Sequence, residues 1–347
     1  MVQLGAEIDG DCTSEIRALL GQGAFGATDP DRLYHLARYN KMLHVVPMDA
    51  HPTLGPRLLE ARIATVGLNG RAIRAGVQIS QALTARDVRH VVMKGPWQQV
   101  SVHGTGYLRP SGDVDLFVAP QDRVKAAEVI RSLDYRVFEQ DQTIWWLRFL
   151  GEQHFHRDKD GAVADLHHRL LQVGLPSWRR ANDMLTQAVG QGEGADRVPV
   201  PNPPTGCLLL AITIAKALLG GEPCGWAVRD LWLWLAKLSA EERRDLGRVA
   251  QRAGQTRSLA LALQLVHACH GLPDRPTRSI LPGPERTKDE LRSIVYQPWQ
   301  RPQLAPRRRD LLRALGKGRP VAVAQQGVMS VLSPMVLSVL KRRESQR

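Results

Sequence analysis

Two carboxylates placed two residues apart on a β-strand leave the same face of it. They are then close enough to share divalent ions, the arrangement that metal-assisted phosphoryl or nucleotidyl transfer needs. Asp113 and Asp115 form such a pair. The spacing alone carries little, because it recurs at Asp9/Asp11, Asp29/Asp31 and Asp158/Asp160. Context separates the four. Only the 113/115 pair is interleaved with and followed by apolar residues (Val114, Leu116, Phe117, Val118) that would anchor a strand while the carboxylates reach an open face. The other three sit in polar or Pro/Gly-bearing turn sequences.

The flanking residues suit the same chemistry. Upstream, Val91-Val92-Met93-Lys94-Gly95 reads as a strand ending in a glycine, where backbone amides approach a phosphate closely, with Lys94 alongside to balance charge. The stretch 107–112 leads straight into the Asp pair. It places the Arg109 guanidinium and the Ser111 hydroxyl where triphosphate oxygens need donors; for Arg109, a solvated surface role is the competing reading. Downstream, Asp165 supplies a third carboxylate on a predicted strand, to bind metal or to take the proton of an attacking hydroxyl. His154, His156, His167 and His168 surround it in sequence. With no H-E-x-x-H or C-x-x-C spacing, these histidines read as hydrogen-bond partners of carboxylates or phosphates before they read as a zinc site. No G-x-x-x-x-G-K-[ST] and no G-x-S-x-G occurs, which removes the usual anchors of a Walker-type NTPase and a nucleophile-elbow hydrolase.

The elements that must position these residues follow from periodicity and punctuation. Residues 30–46 and 56–85 carry apolar side chains at helical spacing, the first after the capping pair Asp29-Pro30. Short β-type runs fall at 89–93, 113–118 and 135–138, with a capped amphipathic helix at 120–133 between the last two. The runs at 154–156 and 162–167, separated by Asp158-Lys159-Asp160-Gly161, read as a hairpin behind a segment containing Trp145 and Trp146. Residues 190–206 are rich in Gly and Pro, a linker signature. Beyond them, 208–219, 228–238 and 257–269 are apolar helices, the second with Trp226, Trp232 and Trp234 beside or within it. These tryptophans read as helix packing, with base stacking the alternative. The chain is thus expected to divide into a helical lead-in at 1–85, a core at 86–175, a linker at 176–206, and a C-terminal helical domain with a basic tail at 207–347.

The series Val92-Met93-Lys94-Gly95, then Arg109 to Val118, then Asp165-Leu166-His167 resembles a bacterial family of uncharacterised nucleotidyltransferase-like proteins within the polymerase-β nucleotidyltransferase superfamily. Its members read roughly "LKG", "R…DiDlLV" and "DlH". Leu33 to Val46 and Cys224 to Leu235 resemble helical segments of the same family, so the likeness covers most of the chain. The resemblance implies an α+β fold whose polymerase-β-like core is a small mixed sheet flanked by helices. It also implies Asp113 and Asp115 as ligands of two Mg²⁺ ions, with Asp165 as third carboxylate. Lys94 and Gly95 would stand where other superfamily members carry Gly-Ser at the triphosphate of an NTP such as ATP. Trp97 is bulkier than the residue expected at that place. The implied reaction moves an NMP from the NTP to an acceptor and releases pyrophosphate. Proteins resembling this one are sometimes found beside genes for modified peptides such as lasso peptides, and others resemble toxins that modify tRNA, so the expected acceptor is a modified peptide, RNA or a small molecule.

Charge agrees with a polyanionic partner without choosing one. The chain of 347 residues carries a net charge of +13, and 301–347 holds eleven basic side chains against two acidic ones. Four widely spaced cysteines (Cys12, Cys207, Cys224, Cys269) give no disulfide framework. The opening MVQLGAEIDGDC is acidic where a secretory signal is basic. Both features predict a cytoplasmic protein. The uncharged stretch 321–340 is too polar for a transmembrane span. It reads as a packed terminal helix, with an interfacial helix beside Lys341-Arg342-Arg343 and peripheral membrane contact as the rival. Two other functional classes stay open. One uses the same metal cluster to hydrolyse a phosphoester or transfer a terminal phosphoryl group; the other is a catalytically degenerate accessory protein that binds nucleotide, peptide or RNA.

Overall fold

The computed structural model describes residues 8, 10–138, 150–170, 175, 177–272, 280–300 and 302–344. Trp145 and Trp146 lie outside the described residues. The chain opens with three helices, α1 (Thr13–Leu19), α2 (Pro30–Tyr39) and α3 (Leu54–Ala85). Asp29 starts α2 by accepting a hydrogen bond from the Arg32 amide at 3.0 Å, with Pro30 in the first turn, where no amide is needed. The helix ends before residue 46, the expected limit, because Lys41 turns left-handed at φ 53° and Leu43–Val45 close into a 3-10 turn. By contrast α3 runs unbroken for 32 residues. Its Gly76 is required by close approach: a Cβ there would lie 2.1 Å from Cη2 of Trp97.

The central sheet is built from β1 (His90–Val92), β2 (Asp113–Val118), β3 (Arg136–Val137), β4 (Glu152–Arg157) and β5 (Ala162–His167), with α4 (Gly95–His103) and α5 (Arg123–Arg131) between the strands. The spatial order is β1-β2-β5-β4-β3. β2 and β5 are parallel and the other neighbours antiparallel, so the sheet is mixed and small, as an α+β nucleotidyltransferase core requires. Strand alternation gives it two unlike faces. Val114, Leu116, Val118, Phe155, Ala164 and Leu166 pack against Ala72, Ala75 and Ile79 of α3 and Ala126 and Ile130 of α5. The opposite face carries Asp113, Asp115, Glu152, His154, Asp165 and His167.

The remaining chain is mostly helical. After α6 (Asp183–Thr186), strands β6 (Val189–Gln191) and β7 (Val198–Val200) pair as a two-stranded hairpin inside the Gly/Pro-rich stretch. Then come α7 (Pro203–Gly220), α8 (Gly225–Lys237), α9 (Ala240–Ala253), α10 (Thr256–His270), α11 (Lys288–Tyr296), α12 (Arg308–Leu315) and α13 (Pro320–Glu344). Helix α7 is buried on most sides. It is long and apolar enough to cross a membrane, yet 67% of that apolar window is buried inside the protein. Leu33, Leu36, Leu54 and Leu58 from the N-terminal helices join α7 to α12 in one hydrophobic cluster. Asn40 ties the two regions polarly: its amide donates to Tyr296 O at 2.9 Å, and its Oδ1 accepts from Gly225 N at 3.0 Å. The packed-helix expectation for 321–340 is corrected in part. Among the described side chains of α13, Met329 and Gln326 are buried, but Val321, Val328, Val331, Leu332 and Met335 are exposed.

Candidate functional site

Register sets the charged face. Asp115 on β2 lies directly opposite Asp165 on β5, and Asp165 lies opposite His154 on β4. Asp113, one alternation before Asp115, is on the same face, as is His167, one alternation after Asp165. Glu152 faces His167 across the β4–β5 pair. Ligand atoms of Asp115, Asp165 and His167 all fall within 4.8 Å of one another. Asp113 lines the same cleft without joining that group of three.

The electrostatics of the two facing aspartates diverge. Burial works against the charge of Asp115, but Lys94 and His167 outweigh it and hold its carboxyl well below the usual carboxylate range. Lys94 Nζ donates to Asp115 Oδ1 at 3.2 Å, and His167 Nε2 donates to the same oxygen at 3.1 Å. The other ring nitrogen of His167 lies 3.5 Å from Glu152 Oε2. Burial likewise disfavours the charge of Asp165, and here His154, at 3.8 Å, compensates too little, so its pKa is pushed up to about 7. Asp165 Oδ1 is buried and accepts no hydrogen bond. A buried carboxylate oxygen without a donor is costly unless a cation or proton meets it. The donor set therefore fits a divalent ion: carboxylate oxygens suit Mg²⁺, and a neighbouring imidazole extends the range to Mn²⁺ and other transition metals.

The sequence-predicted phosphate residues reach the same cleft, of about 340 Å³. Gly95 opens α4 with φ +68°, and a Cβ there would sit 3.2 Å from Ser111 Oγ in a strained conformation. Trp97 does not crowd the loop; it turns into the core beneath α3. The segment 106–111 is held by two buried amides that sequence reading missed. Asn69 of α3 donates to Gly106 O at 2.6 Å and Arg109 O at 2.8 Å and accepts from Ser111 N at 2.8 Å. Gln99 of α4 accepts from Leu108 N at 3.1 Å and Arg109 N at 2.8 Å and donates to Arg109 O at 2.9 Å. Arg109 itself is buried rather than a surface arginine. It is ion-paired to Asp230 of α8 and stacked 3.8 Å from the ring centroid of Trp226.

Opposite the sheet, Leu209, Ile212, Thr213 and Lys216 form one stripe of α7 along the cleft, and Lys41 enters from the turn after α2. Lys216 was legible in principle, as the single charged residue of an otherwise apolar helix. Lys41, Glu152 and Asp230 gave no local signal. Of the other histidines, His156 lies 3.4 Å from Asp158 at the hairpin end, and His168 is buried. Trp232 stacks on His270 at 4.5 Å and Trp234 is buried, so of the three tryptophans Trp226 lines the cleft.

A search of the curated proteins finds no match. A family model described as an uncharacterised nucleotidyltransferase matches residues 26–271. That span covers most of the chain and runs from the turn before α2, through all the cleft residues described above, to the end of α10. A mixed sheet with a buried Asp-Asp-His cluster on one face, carried on a chain that matches over this length, places the protein in that nucleotidyltransferase family.

Proposed function

We propose that the protein is a metal-dependent nucleotidyltransferase that moves an NMP from an NTP to a hydroxyl or phosphate acceptor. The observation that carries this reading is the facing of Asp115 and Asp165 across parallel strands, with Asp113 on the same face and cations around the opening. Asp113, Asp115 and Asp165, with His167 beside them, are the residues that would hold the ion. A divalent ion there would neutralise and polarise phosphoryl oxygens.

The chain's own groups account for the remaining steps. Lys41 and Lys216 set a positive potential for the polyphosphate, and Lys94 and Arg109, each paired to a carboxylate, offer it hydrogen-bond donors. Gly95 lets the first amides of α4 approach a phosphate, at the end of the helix where its dipole favours anions. Ser111 offers a hydroxyl donor beside Gly95. The acceptor proton passes to Asp165 Oδ1, the oxygen with no hydrogen bond, as the acceptor oxygen bonds to the α-phosphorus. The bond from the α-phosphorus to the bridging oxygen breaks, and its electron pair leaves with pyrophosphate. Burial raises the proton affinity of the Asp165 carboxyl, which favours its taking that proton.

The test is NTP turnover with Mg²⁺ or Mn²⁺, followed by product analysis. Pyrophosphate release lost in Asp115→Ala supports nucleotidyl transfer. Release of orthophosphate and NDP would transfer the same site to phosphohydrolysis or phosphoryl transfer, and absence of metal-dependent NTP binding would leave an accessory binding protein.

A further inference from the structure

Arg109 is the cleft cation with the most elaborate support. Its guanidinium donates through Nη1 to Asp230 Oδ2, and the other carboxylate oxygen of Asp230 lies 2.9 Å from His103 Nε2. Both partners of the ion pair are almost fully buried, at 4% and 1% exposure. The guanidinium carbon of Arg109 sits 3.8 Å over the ring centroid of Trp226, one turn before Asp230 on α8. The backbone of Arg109 is fixed independently by Asn69 and Gln99. An arginine uses five N–H donors in a planar fork, and a fork clamped on one side presents the remaining donors in a fixed direction. Arg109 lines the cleft together with Lys94, Ser111 and Asp113. Lys41 stands on the same lining.

We propose that Asp230 is a positioning residue which, with Trp226, aims Arg109 at the polyphosphate of the donor nucleotide, so that α8 completes a donor site otherwise built on the sheet. The proposal rests on the nucleotidyl-transfer reading. A paired arginine contributes little net charge, so its role is directional: it recognises phosphate oxygens through oriented hydrogen bonds, while Lys41 and Lys216 supply the attraction. Lysine at 109 would keep the charge and lose both the fork and the stacking.

The experiment measures binding of inorganic tripolyphosphate and of each NTP, with Mg²⁺, by the full chain as wild type, Asp230→Asn, Arg109→Lys and the double variant, with thermal unfolding recorded for each. The expected result is a loss of about tenfold in affinity for either single variant, and no further loss on adding Asp230→Asn to Arg109→Lys, because Asp230 acts only through Arg109. Unchanged affinity in Asp230→Asn, or an additive loss in the double variant, overturns the positioning role while leaving nucleotide binding intact. A wild type that binds neither tripolyphosphate nor any NTP overturns the nucleotidyl-transfer reading, and the positioning role with it. If Asp230→Asn does not fold, Trp226→Leu removes the stacking face, leaves the ion pair, and is read by the same cycle against Arg109→Lys.

Discussion

Asp165 meets opposite demands in the folded chain and in the proposed reaction. Its pKa rises from 3.8 to about 7 on folding, so between those values the folded state binds more protons than the unfolded state. Stability from this group is therefore full below pH 4 and is lost as pH rises through 7, by a few kcal/mol in total. Asp165→Asn is expected to raise the melting temperature of the metal-free protein at pH 8, and to abolish any gain in melting temperature from added Mg²⁺ or Mn²⁺. Calorimetric scans with and without metal check both halves. The gain would come from an ion that binds the folded state alone. His167 bears on which ion that is. An imidazole donor favours Mn²⁺ over Mg²⁺, so His167→Asn should weaken Mn²⁺ binding more than Mg²⁺ binding, read as the change in the ratio of their dissociation constants.

Among the elements, the strands were the most legible part of the site. Polar/apolar alternation over 113–118 placed β2 at its observed limits, and the turn at 158–161 placed the hairpin that carries Asp165 and His167. A strand face is a local, period-two property, so sequence exposes it. The supports of the 106–111 segment were not legible, because Asn69 and Gln99 sit on helices whose turn of approach is fixed only by packing. Nor was Asp230, 121 residues from its partner. Gln99→Leu would leave two amides and weaken one carbonyl contact in a buried setting. It is expected to cost about 3 kcal/mol in denaturant unfolding and to lower nucleotide affinity as the loop loosens. Lys216→Ala should do the opposite. It faces the cleft from the exposed side of α7, so stability should change by less than about 0.5 kcal/mol while NTP affinity falls about fivefold.

At the scale of the molecule, the helical lead-in and the C-terminal helices share one core, joined by Leu33, Leu36, Leu54 and Leu58 and by the Asn40 bridge to Tyr296 and Gly225. Sequence reading assigned these regions separate places along the chain, since their contact depends on side chains more than 180 residues apart. The fragment 1–206 is expected to lack a cooperative unfolding transition, because it strips α7 to α12 from the larger hydrophobic cluster, and circular dichroism melting would show this. The cleft lies where this core meets the polar face of the sheet, with Lys216 and Arg109 held from the helical side and the carboxylates from the other. The proposed transfer chemistry therefore needs both sides of the cleft. The most direct measurement supplies the full chain with Mg²⁺, cell extract as acceptor, and NTP labelled in parallel at the α- or the γ-phosphate, comparing wild type with Asp115→Ala. The account predicts that α-label alone becomes acceptor-bound, that γ-label leaves as pyrophosphate, and that the variant does neither. Transfer of γ-label to the acceptor, or α-label transfer that persists in Asp115→Ala, would contradict it.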